Sequence, residues 1–100
     1  MPKLSMETPH ELGQEEATHR LKHGFSFVKS SFGAHLSDVT EQWDGNALAF
    51  GFKAMGMKVS GNVAVEDSVV RLDADLPLAA IMFKGVIEQR VRTELERLLK

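Results

Sequence analysis

The chain opens on a two-residue rhythm. From Lys3 to Thr8, Leu4 and Met6 fall on one side and Ser5 and Glu7 on the other. That alternation predicts a short half-buried strand, which Pro9 breaks. A helical rhythm follows: Ala17, Leu21, Phe25, Val28 and Phe32 step by four, four, three and four. They form one buried stripe over about four turns. Its start reads two ways. Thr8 and Glu11 can form a capping box with Pro9 in the first turn. Alternatively the helix begins after Gly13, with Glu15 and Glu16 at the positive end of its macrodipole. The Leu12-Gly13 turn favours the later start, and Gly33 is the natural stop.

The period then returns to two. Leu36 to Trp43 ends at Asp44-Gly45-Asn46, a strong hairpin signal. Ala47 to Met55 puts Leu48, Phe50, Phe52 and Ala54 on one face, and Gly56 allows the next turn. Met57 to Val65 groups Met57, Val59, Gly61, Val63 and Val65. After Glu66-Asp67, Val70, Leu72, Ala74 and Leu76 alternate with Arg71, Asp73 and Asp75. This is an antiparallel meander with one apolar and one wet face. A last helix starts at Pro77, with Ala80, Phe83, Ile87, Val91, Leu95 and Leu98 inward. Two amphipathic helices cover the apolar sheet face. The expected fold is therefore α+β: two layers, about five antiparallel strands, two helices on one face, in the order β-α-β-β-β-β-α.

Composition narrows the function more by exclusion than by suggestion. A length of 100 residues suits one domain covering 1–100, since two cores would not fit. A net charge of -2 argues against a domain held to nucleic acid by phosphate contacts. With no cysteine there is no disulfide framework, thiol nucleophile or cysteine-based zinc site. No apolar run reaches the length of a membrane span, and the N-terminal stretch holds none of signal-peptide length. A cytoplasmic location is expected.

Candidate chemistry is sparse. His19 and His23 lie four apart on the first helix, a spacing that suits two zinc ligands. They sit away from the buried stripe and lack a third ligand, so they read as a solvated pair. His10 and His35 read as turn or capping residues. Asp73 and Asp75 share a strand face, with Glu66 and Asp67 nearby. Paired carboxylates serve acid-base chemistry when burial separates their pKa values. Here Arg71 shares the face, which reads as wet. Gly51, Gly56 and Gly61 recur every five residues without phosphate-loop spacing and mark turns or close backbone packing. Trp43, beside the Asp-Gly turn, offers a ligand-stacking ring, but it reads first as a large apolar side chain closing one end of the core. No catalytic residue, metal site or cofactor is called for, and an enzyme is not expected.

The feature in surplus is Leu76 to Phe83, LPLAAIMF. A helix with one core stripe shows polar residues about half the time, and this stretch shows none. Ala80 and Phe83 can join the core stripe, while Leu78, Ile81 and Met82 point partly elsewhere. They either pack on the first helix or the sheet end, or form an exposed apolar patch for a partner.

Three stretches resemble a small bacterial family, the polyhydroxyalkanoic acid system proteins. They are His10-Glu-Leu-Gly-Gln-Glu-Glu-Ala17, then Trp43 to Gly61 with Asn62-Val-Ala-Val-Glu-Asp67, and Asp75-Leu-Pro-Leu-Ala-Ala-Ile-Met-Phe-Lys-Gly-Val-Ile-Glu88. The resemblance implies a non-enzymatic role in polyhydroxyalkanoate storage, with no catalytic residue to carry over. The expected partner is the storage granule or a granule protein, met through Leu78, Ile81, Met82 and Phe83. The element order also resembles a shortened helix-grip (START-like) domain, a likeness of fold alone. It opens an alternative: a carrier of an acyl chain or hydroxy acid, with a cavity lined by Phe50, Phe52, Met57, Trp43 and Met82. A filled core would sink this alternative, and an apolar pocket of several hundred Å³ would support it. A third arrangement is a homodimer whose interface is the same patch.

Overall fold

Alternating side chains give each strand one apolar face, and the chain stacks five such strands edge to edge. The computed structural model describes residues 3–33, 36–54 and 56–100. In order they form β1 (Lys3–Pro9), α1 (Gln14–Phe32), β2 (Leu36–Asp44), β3 (Ala47–Ala54), β4 (Met57–Val65) and β5 (Val69–Asp75). A 3-10 helix (Leu78–Phe83) and α2 (Lys84–Leu98) complete the chain. The sheet order is β1-β5-β4-β3-β2, every neighbouring pair antiparallel. The first strand therefore pairs with the fifth, and the rest form the expected meander. The result is a two-layer α+β fold. His35 and Met55, and the side chains of Val28 and Phe32, lie outside the described residues.

Register explains the core. Met6 faces Leu72, which faces Val63, which faces Leu48, which faces Trp43. These cross-strand neighbours form one continuous row on the inner face, the unit of sheet stabilisation. The next row runs Leu4, Ala74, Gly61, Phe50 and Glu41. Ala17 and Leu21 of α1 and Leu99 beyond α2 join the buried core. Gly61 is required where it stands. A Cβ there would lie 2.5 Å from the Asp73 carbonyl oxygen and 2.7 Å from the Phe50 ring.

The entrance to α1 follows the later of its two expected starts. Gly13 turns the chain at φ 82°, a conformation that favours glycine. No side chain of the Gly13 region caps the helix. The β4–β5 turn does so instead: the Gln14 N–H donates to Asp67 Oδ1 at 3.2 Å, and the Gln14 side chain donates to the Val65 carbonyl at 2.9 Å. His10 fixes the preceding turn as a buried ring. Its Nδ1 accepts the Leu12 N–H at 3.2 Å, leaving Nε2 to donate to the Glu66 carbonyl at 3.0 Å.

The end of the chain departs from expectation. The helix predicted from Pro77 begins as a 3-10 segment, and α-helical geometry starts only at Lys84. A 3-10 helix turns in three residues rather than 3.6, so an α-helical stripe cannot be carried through it. Phe83 sits at the joint with φ -106°. Its ring, expected in the core, is 60% exposed. The inward stripe continues through Ile87, Val91, Leu95 and Leu98, which pack against the core.

Candidate functional site

Two features of the described residues are left unexplained by folding alone. The first is the 3-10 segment. Leu78 is 71% exposed, Ile81 54%, Met82 86% and Phe83 60%, and Val86 of the next turn is 70% exposed. Of the segment's six residues only Ala80 packs against the core. The geometry accounts for this: a short 3-10 turn joining the end of β5 to a helix offers the core one narrow side. Leaving five large apolar side chains in water is costly for a domain of this size. Val86 was not part of the sequence-derived set; its position three residues past Phe83 was the available signal.

The second feature is an apolar cavity of about 340 Å³ between the sheet and the two helices. Its floor is the inner sheet face, including Leu48, Phe50, Val63 and Ala74; α1 contributes Leu21, Gly24 and Phe25. The stripe of α2 forms the remaining wall, with Arg90 and Glu94 along its flank. Small residues create the space. Ala74 lies in the middle of the sheet and lines the cavity, where a larger side chain would fill the layer. Gly24 lets α2 approach α1 closely, because a Cβ there would meet Leu98 Cδ1 at 2.6 Å. The helices meet around Gly24 and Leu98, and Arg20 donates to the Leu98 carbonyl at 3.3 Å. Phe25, Phe50 and Phe52 form an aromatic side to the cavity. The Phe25 and Phe50 centroids are 6.2 Å apart, and Phe50 and Phe52 stack at 6.4 Å.

Of the residues expected around such a space, Phe50 and Phe52 line it, whereas Trp43, Met57 and Met82 do not. Trp43 lies in the row one step removed, beside the Gly45–Asn46 turn, and packs against the core there. Its indole N–H donates to Glu41 Oε2 at 2.7 Å, and the Lys22 ammonium sits 5.2 Å from its ring centroid. Met57 pairs with Ala54 at the far end of the hairpin. Met82 belongs to the exposed segment. Ala74, Gly24 and Arg90 were missed. Small size at central positions was the signal for the first two; Arg90 lies one residue off the α2 stripe.

The remaining candidates resolve into structural roles. Asp73 accepts a hydrogen bond from Ser5 at 2.7 Å on the outer sheet face, and Asp75 lies 3.9 Å from Lys3. On the same face Arg71 bridges Glu66 at 2.6 Å and Glu7 at 2.8 Å. Hydrogen bonding to Glu66, reinforced by the charges of Glu66 and Glu7, raises the Arg71 pKa. His19 and His23 are exposed. Gly56, at φ 78°, makes the turn between β3 and β4.

One half-buried network ties α1 to the edge strand. Lys29 donates to Glu41 at 2.6 Å. That hydrogen bond, helped by Trp43, holds the Glu41 carboxyl below its ordinary range against the opposing effect of burial. Glu41 stands opposite Phe50 in the sheet, so an ion pair occupies the inner face where the pattern of the other strands would place a hydrophobe.

Comparison with known families places the chain in one of them. The profile of the family described as "Putative polyhydroxyalkanoic acid system protein" matches residues 4–99. No curated protein matches the chain.

Proposed function

The chain belongs to the polyhydroxyalkanoic acid system protein family, and from that premise we propose that it is a non-enzymatic protein that adsorbs to the storage granule. The granule surface, or a protein on it, is met through Leu78, Ile81, Met82 and Phe83, with Val86 extending the contact. The observation that carries this reading is the exposure of these side chains, Met82 at 86% above all. Burying three of them releases about 5–8 kcal/mol gross, and immobilisation offsets much of it. Adsorption of that kind requires no membrane crossing, and no helix among the described residues is long and apolar enough for one. The protein would then work inside the cell, where granules lie.

Co-sedimentation with purified granules tests the proposal. Ile81→Asp combined with Met82→Asp is expected to reduce the bound fraction about tenfold, a loss of about 1.4 kcal/mol. The melting temperature should hold, because both side chains are exposed. Unchanged binding by the folded double variant overturns the reading. Light scattering at two concentrations identifies the rival arrangement: if the same substitutions convert a dimer to a monomer and spare granule binding, the surface is a subunit interface.

The cavity favours a second reading, an acyl-chain carrier. Its volume falls within the range of small-molecule sites and its lining is almost wholly apolar. Binding of an uncharged chain such as 1-decanol, weakened by the cavity-filling substitution Ala74→Leu, is its expected signature.

A further inference from the structure

The cavity has a charged margin as well as an apolar interior, and the margin is asymmetric. Arg90 and Glu94 of α2 both border it. The lining is nearly all apolar, so these two residues contribute their aliphatic stems while their heads reach toward water. The Glu94 carboxylate is already engaged: Arg97 donates to it through Nε at 3.2 Å and through Nη2 at 2.8 Å. Arg92 lies 3.7 Å from Glu88. Arg90 has no ion-pair partner among the described residues. The margin therefore offers one neutralised carboxylate and one guanidinium without a counter-charge, set over an apolar interior.

We propose that the cavity takes a single-chain amphiphile with a carboxylate head, its tail between sheet and helices and its head on Arg90. The inference rests on the carrier reading and adds the head-group chemistry to it. A guanidinium presents paired N–H donors that match a carboxylate. Such a rim contact stays solvated, so it sets preference among ligands, while the apolar interior supplies most of the affinity. A molecule with a charged head and one chain satisfies both parts. A two-chain lipid exceeds the space of about 340 Å³, and a small polar acid leaves the interior empty.

Titration calorimetry of the full chain with decanoate and with 1-decanol tests this, using wild type, Arg90→Gln and Ala74→Leu. Arg90→Gln is expected to weaken decanoate about fivefold and to leave 1-decanol unchanged. Added salt should erode the same preference in the wild type. Ala74→Leu is expected to weaken both probes, which locates them in the cavity. Equal effects of Arg90→Gln on the two probes, or none on either, overturn the head-group assignment while the carrier reading survives. Failure of both probes to bind the wild type overturns both. Undiminished decanoate binding by Ala74→Leu places the site elsewhere and also overturns the inference. Arg90 is exposed, so its substitution should not unfold the protein. Thermal melts of both variants verify that each is folded.

Discussion

The two halves of the sheet follow the same alternation and end up differently buried. In β1 and β5 every inward residue from Leu4 to Thr8 and from Val70 to Ala74 is buried. In β2 no residue is fully buried, and in β3 Phe50 and Phe52 are only half covered. Alternation decides which way a side chain faces. What lies above it decides how deeply it is buried. The β1 side is covered by α2 and by Leu99 at the end of the chain, while α1 lies over β2 and β4. The cavity floor runs across both halves, from Leu4, Leu72 and Ala74 to Phe50 and Phe52, and only on the β3 side are the large residues lining it left part-exposed. A domain can thus bury one half of its sheet deeply, the sealed half, and leave the other looser around the same cavity.

The largest test of that difference is a pair of truncations. Leu4 in the sealed half also lines the cavity floor but is only 2% exposed, and Leu4→Ala should cost about 3 kcal/mol. Phe52 loses a larger side chain, but it borders empty space and keeps only part of its contacts, so Phe52→Ala should cost about 1 kcal/mol. Urea denaturation of both variants measures this. Equal costs would mean that the β3 half is packed as well as the other, and the cavity would lose its meaning.

A second substitution sharpens the comparison from the opposite direction. The sealed half contains its own defect: Thr8 Oγ1 is buried and finds no hydrogen-bond partner among the described residues. A buried hydroxyl without a partner is destabilising, so Thr8→Val should raise stability by about 1 kcal/mol. A loss of stability instead would mean that a buried water satisfies the hydroxyl and that the half is less dry than its packing suggests.

These contrasts also show what could be read from the residues in order. The strands, their faces, the hairpin at Gly45 and the later start of α1 follow from local patterns, because period and turn chemistry are local properties. The 3-10 winding of Leu78–Phe83 was not legible, since an uninterrupted apolar run fits several helical forms. Nor was the capping of α1 by Asp67, 53 positions away from Gln14. At Asp38 the chain adopts φ 51° and the β2–β3 register shifts, an irregularity that a two-residue alternation conceals. The cavity depends on residues of the sheet, such as Leu4, Phe50 and Ala74, facing residues of both helices, and neighbourhood of that kind exists only once the sheet order is known. Apolar Phe50 and Phe52 were legible as inward residues for the same reason that Trp43 and Met57 were misplaced: all share a face, but Trp43 stands on the edge strand and Met57 at the turn end of β4.

The smallest effect concerns how the loose half is held at its edge. Since β2 offers little buried apolar area, the Lys29–Glu41–Trp43 network replaces packing with charge. Glu41 titrates lower in the folded chain than its ordinary 4.5, chiefly through its hydrogen bond from Lys29. A carboxyl with a depressed folded pKa stabilises the protein above its unfolded pKa and loses that contribution as pH falls through the folded value. Glu41→Gln should therefore cost about 0.5 kcal/mol at pH 7, a shift of roughly 2–4 °C in melting temperature for a domain of this length. The deficit should shrink steadily as pH drops below about 4.5, where the wild-type carboxyl begins to take up its proton. Melting curves of both proteins from pH 7 to pH 3.5 provide the measurement. A deficit that stays constant across that range would show that Glu41 holds β2 by shape and neutral hydrogen bonding, and the edge would then be packed in the same sense as the sealed half.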